Sequence, residues 1–279
     1  MTAKTWLITG ASVGFGRILT EKLLQQGHNV VATARKPEVL EDLHTQYPGQ
    51  VIIPRLDVTD QTSIDQAIGQ ARNTFGHIDV LVNNAGYGLI GTVEEASDAE
   101  VRQQFDVNVF GLLNVSRPVL AMMREQRRGH VINLSSIAGL TSSATFALYC
   151  ASKHAVEAIS EGLAASVAPF NIKVTLIEPG LFRTRFADTS SLQFAENKIE
   201  AYNEQRLGTL DWLDEVNGKQ PGDPAKVADA IIALVEQENP PLRLLCGADA
   251  YERATAKFRD TLASFESNAE LSKSMVYND

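Results

Sequence analysis

The sequence predicts a doubly wound α/β fold, a parallel sheet of about seven strands with helices on both faces. Three observations lead to it. Short, apolar, β-prone runs alternate with helix-length runs through most of the 279 residues, and connections of that length force parallel crossovers. The strand runs are apolar throughout rather than alternating, as in a sheet buried on both faces. A glycine-rich segment joins the first strand to the first helix.

Residues 5–9 read as the first strand and 16–26 as a helix stopped by Gly27. Residues 29–33 form a second strand, and 51–53 with Leu56 a third. The spacing predicts a helix over 63–75, with Ile64, Ala67, Ile68, Ala71 and Phe75 three and four apart. Strands follow at 79–82 and 130–134, with a long helix over 97–127 between them. A helix over 146–167 leads to a strand at 172–177. A helix over 224–238 precedes a last strand at 242–246. Two regions break the rhythm. Residues 181–222 carry aromatic and polar side chains with weak periodicity, long enough for a functional lid. Residues 249–279 read as a helix and a polar tail. No linker, repeat or low-complexity tract divides the chain, so residues 1–279 are expected to form one domain.

Composition excludes several classes of function. With 25 Lys+Arg against 34 Asp+Glu the formal charge is −9, which disfavours nucleic-acid and anionic-membrane binding. No apolar run approaches the ~20 residues that span a bilayer. The start, Met1-Thr2-Ala3-Lys4, lacks signal-peptide architecture, and two cysteines, Cys150 and Cys246, cannot make a disulfide framework. A soluble cytoplasmic protein with no membrane or nucleic-acid partner is expected.

The first strand runs into Thr9-Gly10-Ala11-Ser12-Val13-Gly14-Phe15-Gly16. Such glycines let backbone approach a pyrophosphate, and the following helix offers free N–H groups to an anion. The spacing is Gly-x-x-x-Gly-x-Gly, a weak signal on its own, since such glycines could simply make a tight strand-to-helix turn. Tyr149 and Lys153 sit four apart in a predicted helix and so share a face. A nearby cation favours phenolate and brings tyrosine toward a working acid–base range; without context such a pair is an ordinary solvated face. Ser136 closes the 130–134 strand, where a hydroxyl faces the ligand crevice. Asn83-Asn84-Ala85-Gly86 ends the 79–82 strand at the same rim, and Asn108 could break the long helix through a side-chain hydrogen bond. Pro179-Gly180 ends the 172–177 strand, with Thr184 four residues on.

Together these residues resemble the short-chain dehydrogenase/reductase superfamily in its compact branch, over residues 5 to about 247. The resemblance implies a Rossmann-type, dinucleotide-binding oxidoreductase domain with a substrate loop in 181–222. It implies a catalytic tetrad of Asn108, Ser136, Tyr149 and Lys153, acting on a carbonyl or secondary alcohol. Tyr149 would be the acid, Lys153 would depress its pKa and bind the nicotinamide ribose, Ser136 would polarise the oxygen, and Asn108 would anchor a water. It implies cofactor contacts at Gly10, Ser12, Gly14, Phe15, Gly16, Asp57, Val58, Asn83, Ala85, Gly86, Tyr149, Lys153, Pro179, Gly180 and Thr184, and no metal. The phrases Gly14-Phe15-Gly16-Arg17 and Asn83 through Gly91 are similar to those of 17β-hydroxysteroid and retinol dehydrogenases.

The end of the second strand bears on cofactor choice. Ala34 offers no carboxylate for a ribose 2′-hydroxyl, whereas Arg35 can fork a 2′-phosphate, with Arg17 as a second cation. NADP(H) is therefore expected ahead of NAD(H). Leu181, Phe182, Phe186, Leu192, Phe194, Tyr202 and Trp212 point to a hydrophobic ketone or aldehyde substrate, with Arg183, Arg185 and Arg206 as the residues that would favour an anion instead. Cys150 reads as a small apolar filler and His154 as structural. Two other readings stay open: a lyase or epimerase that uses the cofactor transiently, and a non-catalytic NADPH-sensing module. Homo-oligomerisation also stays open.

Overall fold

In a computed structural model, residues 3–187 and 191–277 are described. Two residues of the Met1-Thr2-Ala3-Lys4 start, part of the 181–222 lid and the end of the 249–279 tail therefore lie outside the described residues. Seven strands build the main sheet: β1 (Thr5–Ile8), β2 (Asn29–Ala32), β3 (Val51–Ile52), β4 (Val80–Asn83), β6 (Gly129–Leu134), β7 (Ile172–Pro179) and β9 (Arg243–Cys246). All neighbours pair in parallel, in the order β3-β2-β1-β4-β6-β7-β9. The order reverses direction between β1 and β4, which opens a crevice beyond their carboxyl ends.

The sheet is buried on both faces, and its pleat sorts the side chains. Trp6, Ile8, Val30, Ala32, Val80 and Val82 face one layer, packed with Leu19 and Leu23 of α1 (Gly14–Gln25) and Ile231 of α8 (Pro224–Val235). Leu7, Val31, Leu81 and Val131 face the other, packed with Ile64 and Ile68 of α3 (Gln61–Phe75) and Val115 and Val119 of α5 (Gly111–Gln126). Period-two alternation with apolar residues on both sides is what a central parallel sheet requires. Asp60 caps α3 by accepting from Thr62 and Ser63 N–H, and Gly76 ends it at φ 80°.

Several expectations need correction. The helix expected over 97–127 is α4 (Asp98–Phe105), one π-turn (Asp106–Phe110) and then α5, with Asn108 inside the π-turn. The region 181–222 is more ordered than its weak periodicity suggests. It contributes β8 (Leu192–Phe194), which pairs in parallel with β5 (Gly88–Ile90), and α7 (Asn203–Val216). Of α7, Leu213 alone is buried, so the helix leaves no apolar stripe in the sequence. A short α2 (Glu41–Gln46) follows β2, and α6 (Ala147–Val167) precedes β7. Beyond β9, α9 (Ala248–Ser267) packs Ala250 and Ala254 against Ile137, and its later turns and the short α10 (Ala269–Lys273) are largely exposed.

Candidate active site

The crevice at the strand reversal is a cavity of about 1020 Å3. It runs from the glycine loop and the end of β2, past the ends of β4, β6 and β7, to α7.

The glycine loop is folded by its own sequence and by β4. Gly10 (φ 66°) and Gly14 (φ 58°) take the left-handed backbone that L side chains rarely adopt. A Cβ on Gly16 would fall 2.5 Å from Gly10 O, so only glycine lets α1 start so close to β1. Asn84 Nδ2 donates to Thr9 O and Gly10 O, both at 2.9 Å, and Thr9 Oγ1 accepts from Asn84 and Ala85 N–H, both at 3.0 Å. The α1 N-terminus has no side-chain cap. Its first N–H groups therefore lack a protein acceptor and suit a diphosphate. An extended dinucleotide fits this cradle.

Tyr149 and Lys153, both buried, project from the first turns of α6. Lys153 Nζ donates to Leu134 O at 2.7 Å and lies 5.9 Å from the Tyr149 ring centroid. The Ser136 hydroxyl stands beside the Tyr149 phenol and donates to Pro179 O at 3.4 Å. Ser136 Oγ also accepts from Ala138 N–H at 3.1 Å, which fixes it at the end of β6. The electrostatics differ from the expectation that Lys153 lowers the phenol. Burial pushes the Tyr149 phenol up, with the neighbouring Ser136 hydroxyl pulling the other way. Burial pulls Lys153 down to about 8, opposed by the negative charge of Glu157. Both groups sit where a low dielectric disfavours charge, and that outweighs their mutual effect. The arrangement places a proton donor and a hydroxyl toward one point, with an ammonium behind, which suits protonation of an oxyanion.

The structure brings most of the expected site residues together. Gly10, Ser12, Gly14, Phe15, Arg35, Asp57, Val58, Ala85, Gly86, Pro179, Gly180 and Thr184 line the cavity with Ser136, Tyr149 and Lys153. Gly16, Asn83 and Asn108 do not. Asn83 turns into the protein, where its Nδ2 donates to Ser116 Oγ and Asn133 Oδ1, both at 2.9 Å. The alternation along β4 explains this: if Asn83 faces one layer, Asn84 faces the other and reaches the loop. Asn108 is a brace. Its Oδ1 accepts from Tyr87 N–H at 3.1 Å, and its Nδ2 donates to Tyr87 O at 2.9 Å and Ser152 Oγ at 3.1 Å. Its bonds go to the Tyr87 backbone and to α6 rather than to its own helix. Arg17 is not available to a phosphate: it forks onto Asp42 and pairs with Glu21 at 2.6 Å, away from the cavity wall. Arg206 is likewise bound, to Glu95 at 2.5 Å, and Arg183 Nη2 donates to Gln220 O at 3.2 Å.

At the far end, Phe186, Leu192, Phe146 and Trp212 line the wall, with Phe146 and Trp212 stacked edge-on at 6.3 Å. Phe194 and Tyr202 lie elsewhere; Tyr202 OH donates to Glu94 at 2.7 Å. Cys150 lines the cavity, but burial pushes its thiol up, and His154 Nδ1 bonds Cys150 O at 2.9 Å within the helix. Asp249 was not anticipated. Its Oδ2 accepts from Leu181 N–H at 2.8 Å and fixes the turn after Pro179-Gly180. The signal was there as an acidic residue opening α9, but nothing in the sequence tied it to residue 181.

Residues 4–194 match the short chain dehydrogenase family. A 3-ketodihydrosphingosine reductase of Bacteroides thetaiotaomicron is 42% identical over 243 residues, covering 86% of this chain and 87% of that protein. A short-chain dehydrogenase from Streptomyces avermitilis superposes with a TM-score of 0.92 at 41% identity, over 99% of this chain and 100% of that one. A serine dehydrogenase solved with NADP+ (TM-score 0.74, 30% identity, covering 86% and 93%) and a Burkholderia phymatum protein solved with NAD (0.79, 27%, covering 97% and 95%) share the fold. These neighbours support a nicotinamide cofactor. The chain belongs to the short-chain dehydrogenase/reductase superfamily, as an oxidoreductase acting on CH–OH or C=O groups.

Proposed function

We propose that the protein is an NADPH-dependent reductase of hydrophobic ketones and aldehydes, built as one dinucleotide-binding domain. The observation that carries the reading is the cavity itself: Ser136, Tyr149 and Lys153 stand midway between a phosphate-suited glycine loop and an aromatic end. When bound, the nicotinamide supplies the hydride; the chain supplies geometry and the proton. Tyr149 protonates the carbonyl oxygen, and its high proton affinity keeps that proton in place until the oxygen becomes basic. Ser136 donates to the same oxygen and polarises it. Lys153 binds the ribose hydroxyls, and Asn108 braces Tyr87 and α6 around it.

Arg35 and the absence of a carboxylate at Ala34 favour the 2′-phosphate of NADPH. Phe186, Leu192, Phe146 and Trp212 favour an apolar substrate, and the relative named for reducing 3-ketodihydrosphingosine agrees with that. Two buried free cysteines, Cys150 and Cys246, suit a reducing compartment such as the cytoplasm.

The test is NADPH absorbance over a panel of ketones and aldehydes. Turnover is expected with aliphatic and aromatic carbonyls, at higher efficiency with NADPH than NADH. No turnover with any member, or strong preference for phosphorylated ketones, overturns the reading.

A further inference from the structure

Behind Lys153, on the side away from the cavity, lies a buried charge cluster that the proposed reaction leaves unused. Glu157 stands one turn further along α6 and is buried. Its Oε1 accepts from the Ser135 hydroxyl, and its Oε2 accepts from Arg243 Nη1 on β9. The same Nη1 donates to Glu178 Oε1 on β7 at 2.7 Å, while Nη2 donates to Glu161 on the next turn of α6. Glu178 lies beside Glu157, and Glu178 Oε2 meets no donor. Burial together with the neighbouring Glu157 charge pushes Glu178 up to about 7.

The charged and titratable groups around Glu157 are therefore Lys153 and Glu161 from α6, Glu178 from β7 and Arg243 from β9, with Cys246 of β9 beside Glu178. Arg253 of α9 is turned to Thr141 Oγ1 at 3.2 Å. Arg243 is divided among three carboxyls, those of Glu157, Glu178 and Glu161, and one guanidinium does not cancel them. The nearby cation left to it is Lys153. Ser135 adjoins Leu134, the residue whose carbonyl holds Lys153 Nζ, so the clamp on Glu157 and the anchor of Lys153 share one strand end. Gly139 closes over the pair, since a Cβ there would fall 2.6 Å from Ser135 Oγ and 2.8 Å from Glu157 Oε1. Burying a carboxylate is costly for a fold, and an apolar residue of similar size would pack here at less expense.

We propose that Glu157 is a positioning residue for Lys153: clamped by Ser135 and Arg243, its carboxylate keeps the buried ammonium charged behind Tyr149. The inference rests on the assignment of Lys153 to the reaction. Without Glu157, burial alone acts on Lys153, which then loses its proton at lower pH.

The experiment measures NADPH affinity by fluorescence and kcat/KM for a ketone against pH, in wild type, Glu157→Gln, Glu157→Asp and Glu178→Gln. Glutamine can still accept from Arg243 and donate its amide N–H to the Ser135 hydroxyl oxygen, but it lacks the charge. In Glu157→Gln the alkaline limb of both profiles is expected to move roughly one unit toward lower pH, with acid-side affinity within a few-fold of wild type. Glu157→Asp, which keeps the charge but withdraws it by a methylene, should fall between the two. Glu178→Gln, which removes a carboxyl that lies on β7 rather than one turn from Lys153 on α6, should move the limb less than Glu157→Gln. An unmoved limb in Glu157→Gln and Glu157→Asp, or in the latter if it alone folds, overturns the inference. Absence of turnover in wild type tells instead against the reductase reading, because the affinity profile still reports on Lys153.

Discussion

Tyr149 and Lys153 hang from one helix, four residues apart, and burial disfavours the charged form of both, so it moves their pKa values in opposite directions. It raises the phenol and lowers the ammonium. A tyrosine that holds its proton firmly is a reservoir rather than a base, so Tyr149→Phe is expected to abolish nearly all reduction while NADPH affinity stays within a few-fold. Substantial turnover in that variant would falsify its assignment as the acid. Arg35 carries the cofactor prediction alone, because Arg17 is committed to Asp42 and Glu21. Losing one charged hydrogen-bond partner costs about 1.5–3 kcal/mol, or about 10- to 150-fold in affinity. Arg35→Ala should weaken NADPH by that factor and leave NADH unchanged, and adding Ala34→Asp should turn the preference toward NADH. The ratio of the two catalytic efficiencies at fixed ionic strength decides it; a ratio that stays put in Arg35→Ala shows the phosphate lies elsewhere.

At the scale of elements, the glycine loop is only half a local structure. Gly10 and Gly14 supply the turn, but the Asn84 amide supplies its outer brace, satisfying two carbonyls at once. Asn84→Ala should therefore cost about 1–3 kcal/mol of stability and also weaken NADPH, since loosening the loop moves the uncapped start of α1. Denaturant unfolding and cofactor titration together check this; a stability loss with unchanged affinity would show the loop holds its shape unaided. The strands, the loop and the Tyr149/Lys153 face were legible in the sequence because each follows from a period or a residue type with one physical meaning. Which of Asn83 and Asn84 faces the crevice was not legible, because one step of strand register decides it. The π-turn around Asn108 was hidden too: its cause is a bond to Tyr87, distant in the chain. Helix α7 escaped because an exposed helix has no apolar stripe to find.

Across the whole molecule, two buried groups set opposing dependences of stability on pH. Thr175 donates its hydroxyl proton to Pro241 O at 2.9 Å, so His130 Nε2–H must donate to Thr175 Oγ1, also at 2.9 Å. Burial pulls His130 from 6.5 to about 4. The unfolded chain takes up that proton first as pH falls, so His130 makes the fold less stable between pH 6.5 and 4, by an amount on the order of 3 kcal/mol. Glu178 runs the other way: its folded pKa is raised, so its contribution is complete below the ordinary 4.5 and is lost as pH rises. Wild-type stability should consequently change little from about pH 7 to 5. In His130→Gln the Glu178 contribution stands alone, and stability measured by urea unfolding should increase on acidification. A decrease in that variant would show that other groups dominate.

The tie between Asn84 and the Thr9–Gly10 backbone also sets a timetable for synthesis. Its two ends are 75 and 74 residues apart in the chain. A nascent chain emerging from the ribosome exposes the whole glycine motif long before it has the amide that shapes it. Residues 1–80 alone would carry the nucleotide-binding signature in writing and none of its grip. Cofactor binding must then wait for β4 to dock beside β1, and any truncation that ends before Asn84 should emerge blind to NADPH, however intact its first strand and helix.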